Sequence, residues 1–276
     1  MVATLSPSSA PPELAGFFED VRSTIDRELD RRLAPQGDDP GRLAEAMHYA
    51  ATGPGKRLRP AIAFAAAEAC GGSRQAALPV AAAIEMLHAY TLVHDDLPAM
   101  DDDRERRGRP TVHIAFNEAI AILAGDGLLT AAFGALSELG ARSGDAIATL
   151  ARRAGSGELL RGQAIDITGP PQSFEAIERM HAAKTGALFA AAAELGGIAA
   201  GAAPSTCAAL GRYGLAIGIA FQHADDRDDA ELVDYAARAA ARMVELCGSA
   251  RSDIAVLGSA AHRLQAIADW ITSRAS

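Results

Sequence analysis

The chain has 276 residues, 49% of them hydrophobic, enough to bury a sizeable core in one large domain or two small ones. A formal net charge of −9 argues against a nucleic-acid binder, which would show a basic patch. The three cysteines, Cys70, Cys207 and Cys247, form no CxxC pair, and that usage fits a reducing, cytoplasmic location.

Residues 1–12 lack a basic n-region and a continuous apolar core, so they read as a flexible lead-in rather than a signal peptide. Residues 13–276 read as one domain. Alanine dominates the apolar content and β-branched runs are scarce, so the expected fold class is all-α. Residues 13–34 form an amphipathic helix with Leu14, Phe17, Phe18, Val21, Ile25 and Leu29 on one side. A polar Pro/Gly loop at 35–41 ends it, and residues 42–51 are a short helix. Next comes Thr52-Gly-Pro-Gly-Lys-Arg-Leu-Arg-Pro60. Its glycines let backbone approach a ligand, and Lys56, Arg57 and Arg59 supply cations. A helix over 57–70 begins there, so charge and free N–H groups together make an anion site.

The apolar helix through Ile84, Leu87, His88 and Thr91 runs into residues 94–111. That stretch holds Asp95, Asp96, Asp101, Asp102 and Asp103, then Arg104, Arg106, Arg107 and Arg109. Aspartates at a helix C-terminus sit at the negative end of its dipole and call for compensation. Mg²⁺ suits them, since it takes one or two carboxylates and leaves its other positions to water or phosphate. The arginines suit phosphate oxygens. An EF-hand does not fit, because its glycine and terminal glutamate are missing at the required offsets.

Residues 116–139 and 143–168 read as two helices, the second ending in Arg161-Gly-Gln-Ala-Ile-Asp166. Residues 173–201 carry Lys184 and Thr185 ahead of an apolar run. The weakly charged stretch 185–211 is rich in Ala and Gly, which suits a buried helix pair better than a membrane span. Residues 205–226 form another helix, with Gln222, Asp225, Asp226 and Asp229 at its end. Asp225 and Asp229 share a face. This repeats the earlier device of an apolar helix ending in paired carboxylates, and two such helices facing one another could hold metal between them. Two amphipathic helices close the chain. No linker or short repeat divides it. Of 26 Lys plus Arg residues only Lys56 and Lys184 are lysine, which singles them out as sites that need a compact ammonium.

In this order the motifs Gly55-Lys-Arg-Leu-Arg-Pro60, His94-Asp-Asp-Leu-Pro-Ala-Met-Asp-Asp-Asp103 with Arg106-Arg-Gly-Arg-Pro-Thr111, Gly162-Gln-Ala-Ile-Asp166, Lys184-Thr-Gly186 and Phe221-Gln-x-x-Asp-Asp-x-x-Asp229 resemble the trans-isoprenyl diphosphate synthases. The bacterial farnesyl and geranylgeranyl diphosphate synthases look most similar. The resemblance runs from about residue 50 to residue 229. It implies a helical bundle around a deep cavity, a homodimer with no membrane span, and three Mg²⁺ ions. The implied partners are isopentenyl diphosphate and an allylic diphosphate. Asp95 and Asp101 look like metal ligands of the first motif, with Asp96 supporting them. Asp225 and Asp229 look like those of the second. Lys56, Arg59, His88 and Arg107 resemble the isopentenyl diphosphate grips, and Arg106, Lys184, Thr185 and Gln222 the allylic contacts. Tyr90, five residues before Asp95, matches the place of a cavity floor and implies a fifteen-carbon product.

One departure stands out. The family continues after its second motif through a loop bearing glycine and lysine, which closes the site. Here Asp229 is followed by Ala-Glu-Leu-Val-Asp-Tyr-Ala-Ala-Arg238, the helix is expected to go on, and no lysine follows Lys184. The loop is either lost or missing from the sequence as given. Two other readings compete. A class I terpene cyclase needs Ser or Thr, then Glu, at the places held by Asp229 and Val233. A non-catalytic subunit of a heteromeric synthase would be expected to lose its aspartates.

Overall fold

A computed structural model describes residues 7–35, 37–169, 171, 173–228 and 235–275. Its helices are α1 Pro12–Leu33, α2 Leu43–Ala51, α3 Leu58–Ala69, α4 Arg74–Asp95, α5 Val112–Ala115, α6 Glu118–Leu136, α7 Ser143–Ala154, α8 Leu159–Ile167, α9 Phe174–His181, α10 Ala187–Ala200, α11 Pro204–Asp228, α12 Ala236–Asp253 and α13 His262–Thr272. Several start where the chemistry of their first residues dictates. The side chains of Ser73, Asn117 and Ser173 accept the N–H of Ala76, Ile120 and Ala176, which satisfies an orphan donor at each N-terminus. The expected stripe of α1, from Leu14 to Leu29, is buried in full. Residues 1–6 of the expected lead-in lie outside the described part. Pro7–Ser9 form a 3₁₀ turn, and Ala10 packs on the core.

α4 and α10 form the centre. α10 packs on α3, α4, α7 and α11, while α6 covers the other side of α4. Helices α4 and α6–α8 contain stretches apolar and long enough to cross a membrane, but two-thirds of the α4 window is buried within the protein. The expected pair within 185–211 is α10 and the start of α11, and α10 is almost wholly buried. Residues 143–168 are two helices, not one. At Gly155 the backbone leaves the helix, and an added Cβ would stand 2.6 Å from the Ala151 carbonyl oxygen. Two glycines within three residues cost helix stability, and the composition of that segment had concealed this. α11 and α12 lie side by side, so they are separate helices rather than the continuous one expected. Residues 229–234 between them, including Asp229, lie outside the described part.

Two local features were not foreseen. The segment after the aspartates folds as a small antiparallel hairpin, Glu105–Arg106 against Arg109–Pro110. Arg107 and Gly108 both have positive φ, 54° and 77°, as a type I′ turn requires. Residues Ala182–Gly186 form a π-turn between α9 and α10. Two bare backbones clasp that turn. A Cβ at Gly162 would stand 2.2 Å from the Lys184 nitrogen, and one at Gly218 would stand 2.7 Å from the Gly186 Cα. One helical turn beyond each glycine, α8 presents Asp166 to Lys184 and α11 presents Gln222 to Thr185.

Gly162→Ala is therefore expected to destabilise the protein by about 1–3 kcal/mol through overpacking. Gly134→Ala in α6, where nothing lies within 4 Å, should be neutral or stabilising by up to about 1 kcal/mol. Urea midpoints at constant slope measure both. Equal effects would show that the contact at Gly162 is loose.

Candidate active site

Asp95 is the last residue of α4 and Asp96 caps it. The chain then folds back. The Asp101 N–H donates to the Asp95 carbonyl at 2.9 Å, and that of Asp102, in a left-handed conformation, donates to Leu97 at 3.1 Å. Burial raises the Asp95 carboxyl to about 6; Lys184 opposes the rise and Asp101 adds to it. Burial also raises Asp96, and Arg106 opposes it. Arg106 Nε donates to Asp96 at 2.5 Å, and Nη2 donates to Asp103 at 3.0 Å.

The basic turn divides its three cations among different tasks. Arg57, expected to face an anion, is buried and spent within the protein. It donates to Asp26 at 2.9 Å, to Glu85 at 2.5 Å, and to the carbonyls of Ala51 and Gly53. Arg59 stacks over Phe189 at 4.8 Å, its Nε buried without a partner, and burial lowers its pKa to about 10. Lys56 reaches Asp225 at 3.3 Å and lies over Phe221.

Beside these residues lies a small pocket of about 70 Å³. Arg57, His88, Arg106 and Arg107 line it. Burial first, and then the charge of Arg59, Arg107, Arg57 and Arg106, pushes the His88 imidazole well below its usual range. Four arginines, Arg57, Arg106, Arg107 and Arg109, outnumber the two carboxylates on the pocket's lining, Glu85 and Asp96, and an anion would complete it. The hairpin turn aims Arg107 in, donating to the Pro54 carbonyl at 2.7 Å.

His88 also lines a second cavity of about 500 Å³, which is mainly apolar. Tyr90, Leu92, Ile122, Leu159 and Leu188 wall it, and Asp95, Arg59, Lys184 and Thr185 stand on its lining. Lys184 donates to Asp166, Thr185 to Gln222 at 3.0 Å, and Gln222 to Asp226 at 2.7 Å.

The structure thus brings Asp95, Arg59, His88, Tyr90, Lys184 and Thr185 to one cavity, and His88, Asp96, Arg106 and Arg107 to the adjoining pocket. Asp101 lies in the turn against Asp95. Lys56 stands apart from both pockets, at Asp225. Asp229 lies outside the described residues. Glu85 had escaped notice because one glutamate in an apolar helix carries no spacing signal. Asp166, at the end of the Gly-Gln-Ala-Ile-Asp motif, pairs with Lys184. The carboxylates supply hard oxygens crowded with like charge, a donor set that suits a divalent cation of the magnesium type.

An all-helical bundle enclosing an apolar cavity, with acids and arginines at its mouth, places this chain in the isoprenoid synthase class. A family model described as Polyprenyl synthetase matches residues 40–237, and the chain belongs to that family of prenyltransferases. It is similar to the farnesyl diphosphate synthase of Escherichia coli, 44% identical over 207 residues, which cover 72% of this chain and 69% of the relative. It is 42% identical to geranylgeranyl pyrophosphate synthase 7 of Arabidopsis thaliana, covering 74% of this chain and 61% of that longer protein. Among solved structures, the FPP/GFPP synthase of Zymomonas mobilis is 39% identical with a TM-score of 0.86, covering 93% of this chain and 98% of that one.

The Asp95 shift makes a stability prediction. Its folded pKa of about 6 lies above the unfolded value of 3.8, so the folded state binds more protons and loses stability as pH rises between those values. Asp95→Asn should therefore stabilise the cation-free protein at neutral pH by about 1–3 kcal/mol, the lower end allowing for partial exposure. The gain should vanish below about pH 4. Urea unfolding in a chelator across that window measures it, and a pH-independent difference would refute the cause.

Proposed function

We propose that this chain condenses isopentenyl diphosphate with an allylic diphosphate, dimethylallyl or geranyl, to give a short-chain prenyl diphosphate, farnesyl diphosphate in particular. The observation that carries this is the excess of positive charge around neutral His88, set against an apolar cavity whose lining carries Asp95. The small basic pocket takes the isopentenyl diphosphate through Arg107 and His88, with Lys56 and Arg59 turning to it when the anion arrives. The allylic diphosphate sits at the cavity mouth against Arg106, Lys184, Thr185 and Gln222. Asp95, Asp101, Asp225 and Asp229, with Asp96 in support, would hold Mg²⁺, three ions by family likeness, which would supply charge neutralisation for the departing diphosphate.

The allylic C–O bond breaks, its electron pair leaving with the diphosphate. The isopentenyl double bond then attacks the allylic carbon, and loss of one proton restores an alkene; the released diphosphate accepts it. The apolar walls keep water from the cation. Lys184 has Asp166 as its present partner and exchanges it for the diphosphate. The sequence has no further lysine to share that load. The exposed apolar side chains Ile114 and Leu123 on α5 and α6 support pairing as a homodimer, and the free cysteines support a reducing, cytoplasmic location.

Purified protein with Mg²⁺, dimethylallyl diphosphate and labelled isopentenyl diphosphate should yield a longer diphosphate. Turnover only with a second chain would instead mark a regulatory subunit, and a cyclic hydrocarbon from a prenyl diphosphate a terpene cyclase. Asp225→Ala should abolish turnover while the fold persists, because its pair with Lys56 is roughly one-third exposed and such pairs contribute only about 0–1 kcal/mol. A near-normal rate at saturating Mg²⁺ would remove Asp225 from the mechanism.

Relatives carry both farnesyl and geranylgeranyl names, so product length rests on this chain's own cavity. Tyr90 is 7% exposed, lines that cavity and meets the His94 ring edge-on at 5.4 Å. It lies roughly 7.5 Å along the axis from Asp95. Tyr90→Ala should lengthen the product by at least one five-carbon unit on chromatography. An unchanged distribution would place the floor elsewhere.

A further inference from the structure

The second aspartate of the second motif, Asp226, belongs to a cluster that the reaction proposed above leaves without a role. The two adjacent aspartates of α11 diverge. Asp225 contacts Lys56, whereas buried Asp226 turns inward to Gln222 and to His181, whose Nε2 stands 3.2 Å from its Oδ2. His181 ends α9, and His223 lies two residues before Asp225. His223 has no solvent exposure. Neither of its ring nitrogens has a hydrogen-bond partner, and neither does Nδ1 of His181. Burying such groups without partners is unfavourable. The candidate donor atoms of His181, His223 and Asp226 all lie within 4.8 Å of one another.

We propose that His181, His223 and Asp226 bind one first-row transition-metal ion of the zinc class, separate from the magnesium positions at Asp95 and Asp225. Two imidazoles and one carboxylate suit Zn²⁺ and its neighbours, while Mg²⁺ prefers an all-oxygen shell. A tetrahedral ion about 2.0–2.1 Å from each donor spaces the donors by roughly 3.4 Å. His181 and Asp226 already stand at 3.2 Å, and binding would have to draw His223 in from within 4.8 Å of them. Glu178 Oε2 stands 3.8 Å from His223 Nε2 but accepts from Arg242, so the fourth position is left to Glu178 or to water.

The ion would tie the end of α9 to α11. α9 leads directly into the π-turn that carries Lys184 and Thr185, and Asp226 accepts from Gln222, which accepts from Thr185. The site is thus a brace for residues lining the cavity, and its role is positional rather than catalytic. The competing account treats His223 as a flat core ring, because it stacks on Phe174 at 5.2 Å and 7°.

Metal-free protein in excess Mg²⁺ is titrated with Co²⁺ near neutral pH. The proposal expects one equivalent per chain with the intense visible bands of a four-coordinate ion, displaced by Zn²⁺. Zn²⁺ should also raise the melting temperature. His223→Leu and His181→Gln should each lose the bands and the thermal shift, while Asp95→Ala keeps both. Far-UV circular dichroism checks the fold of each variant, and if His223→Leu does not fold, His181→Gln decides. No bands in the wild type, or bands that survive in a folded variant, overturn the proposal.

Discussion

The active end of the bundle depends on one buried guanidinium. Arg57 links Asp26 of α1, Glu85 of α4 and the carbonyls of Ala51 and Gly53. With Glu85 it forms a pair in which each side chain is only 5% exposed. Breaking such a pair by removing one partner strands a buried charge, a change that costs about 3–5 kcal/mol. The pair pins the loop before α3 to the central helix. Lys56 and Arg59, on either side of Arg57 in sequence, are thereby delivered to Asp225 and to the cavity.

The remaining ion pairs at the mouth are of another kind. Lys56–Asp225 and Lys184–Asp166 join side chains that are all roughly one-third exposed. Exposed pairs of this sort contribute only about 0–1 kcal/mol. They hold long side chains ready and give them up at little cost. The site therefore combines one rigid strut with several exchangeable contacts, a division that suits ligands carrying several charges of their own.

Much of this was legible in the chain. The stripe of α1 and the alanine-rich core helices follow from apolar spacing, and the carboxylate ends of α4 and α11 follow from the abrupt change in charge. What stayed hidden depends on backbone geometry or on distant partners. Arg57 could not be told from Lys56 and Arg59, because its acids lie 31 and 28 residues away in the sequence. The hairpin was masked by an arginine at positive φ, a conformation rarely taken outside glycine and asparagine. The π-turn has no compositional mark. Its trace was the pair of glycines, Gly162 and Gly218, each four residues ahead of a polar side chain, which gains meaning only when both backbones are seen against the same turn. A single histidine in an apolar helix, such as His223, carries no spacing signal of a site.

His88 is common to the basic pocket and the apolar cavity. A partition with one side chain's thickness cannot be indifferent to either neighbour. Whatever settles the imidazole on one side alters the shape and polarity met on the other, and thermodynamic linkage makes that influence equal in both directions. The two compartments are then poor candidates for independent tuning. A change of shape on one side is felt as altered affinity on the other, so the ligand preferences of the two compartments evolve together.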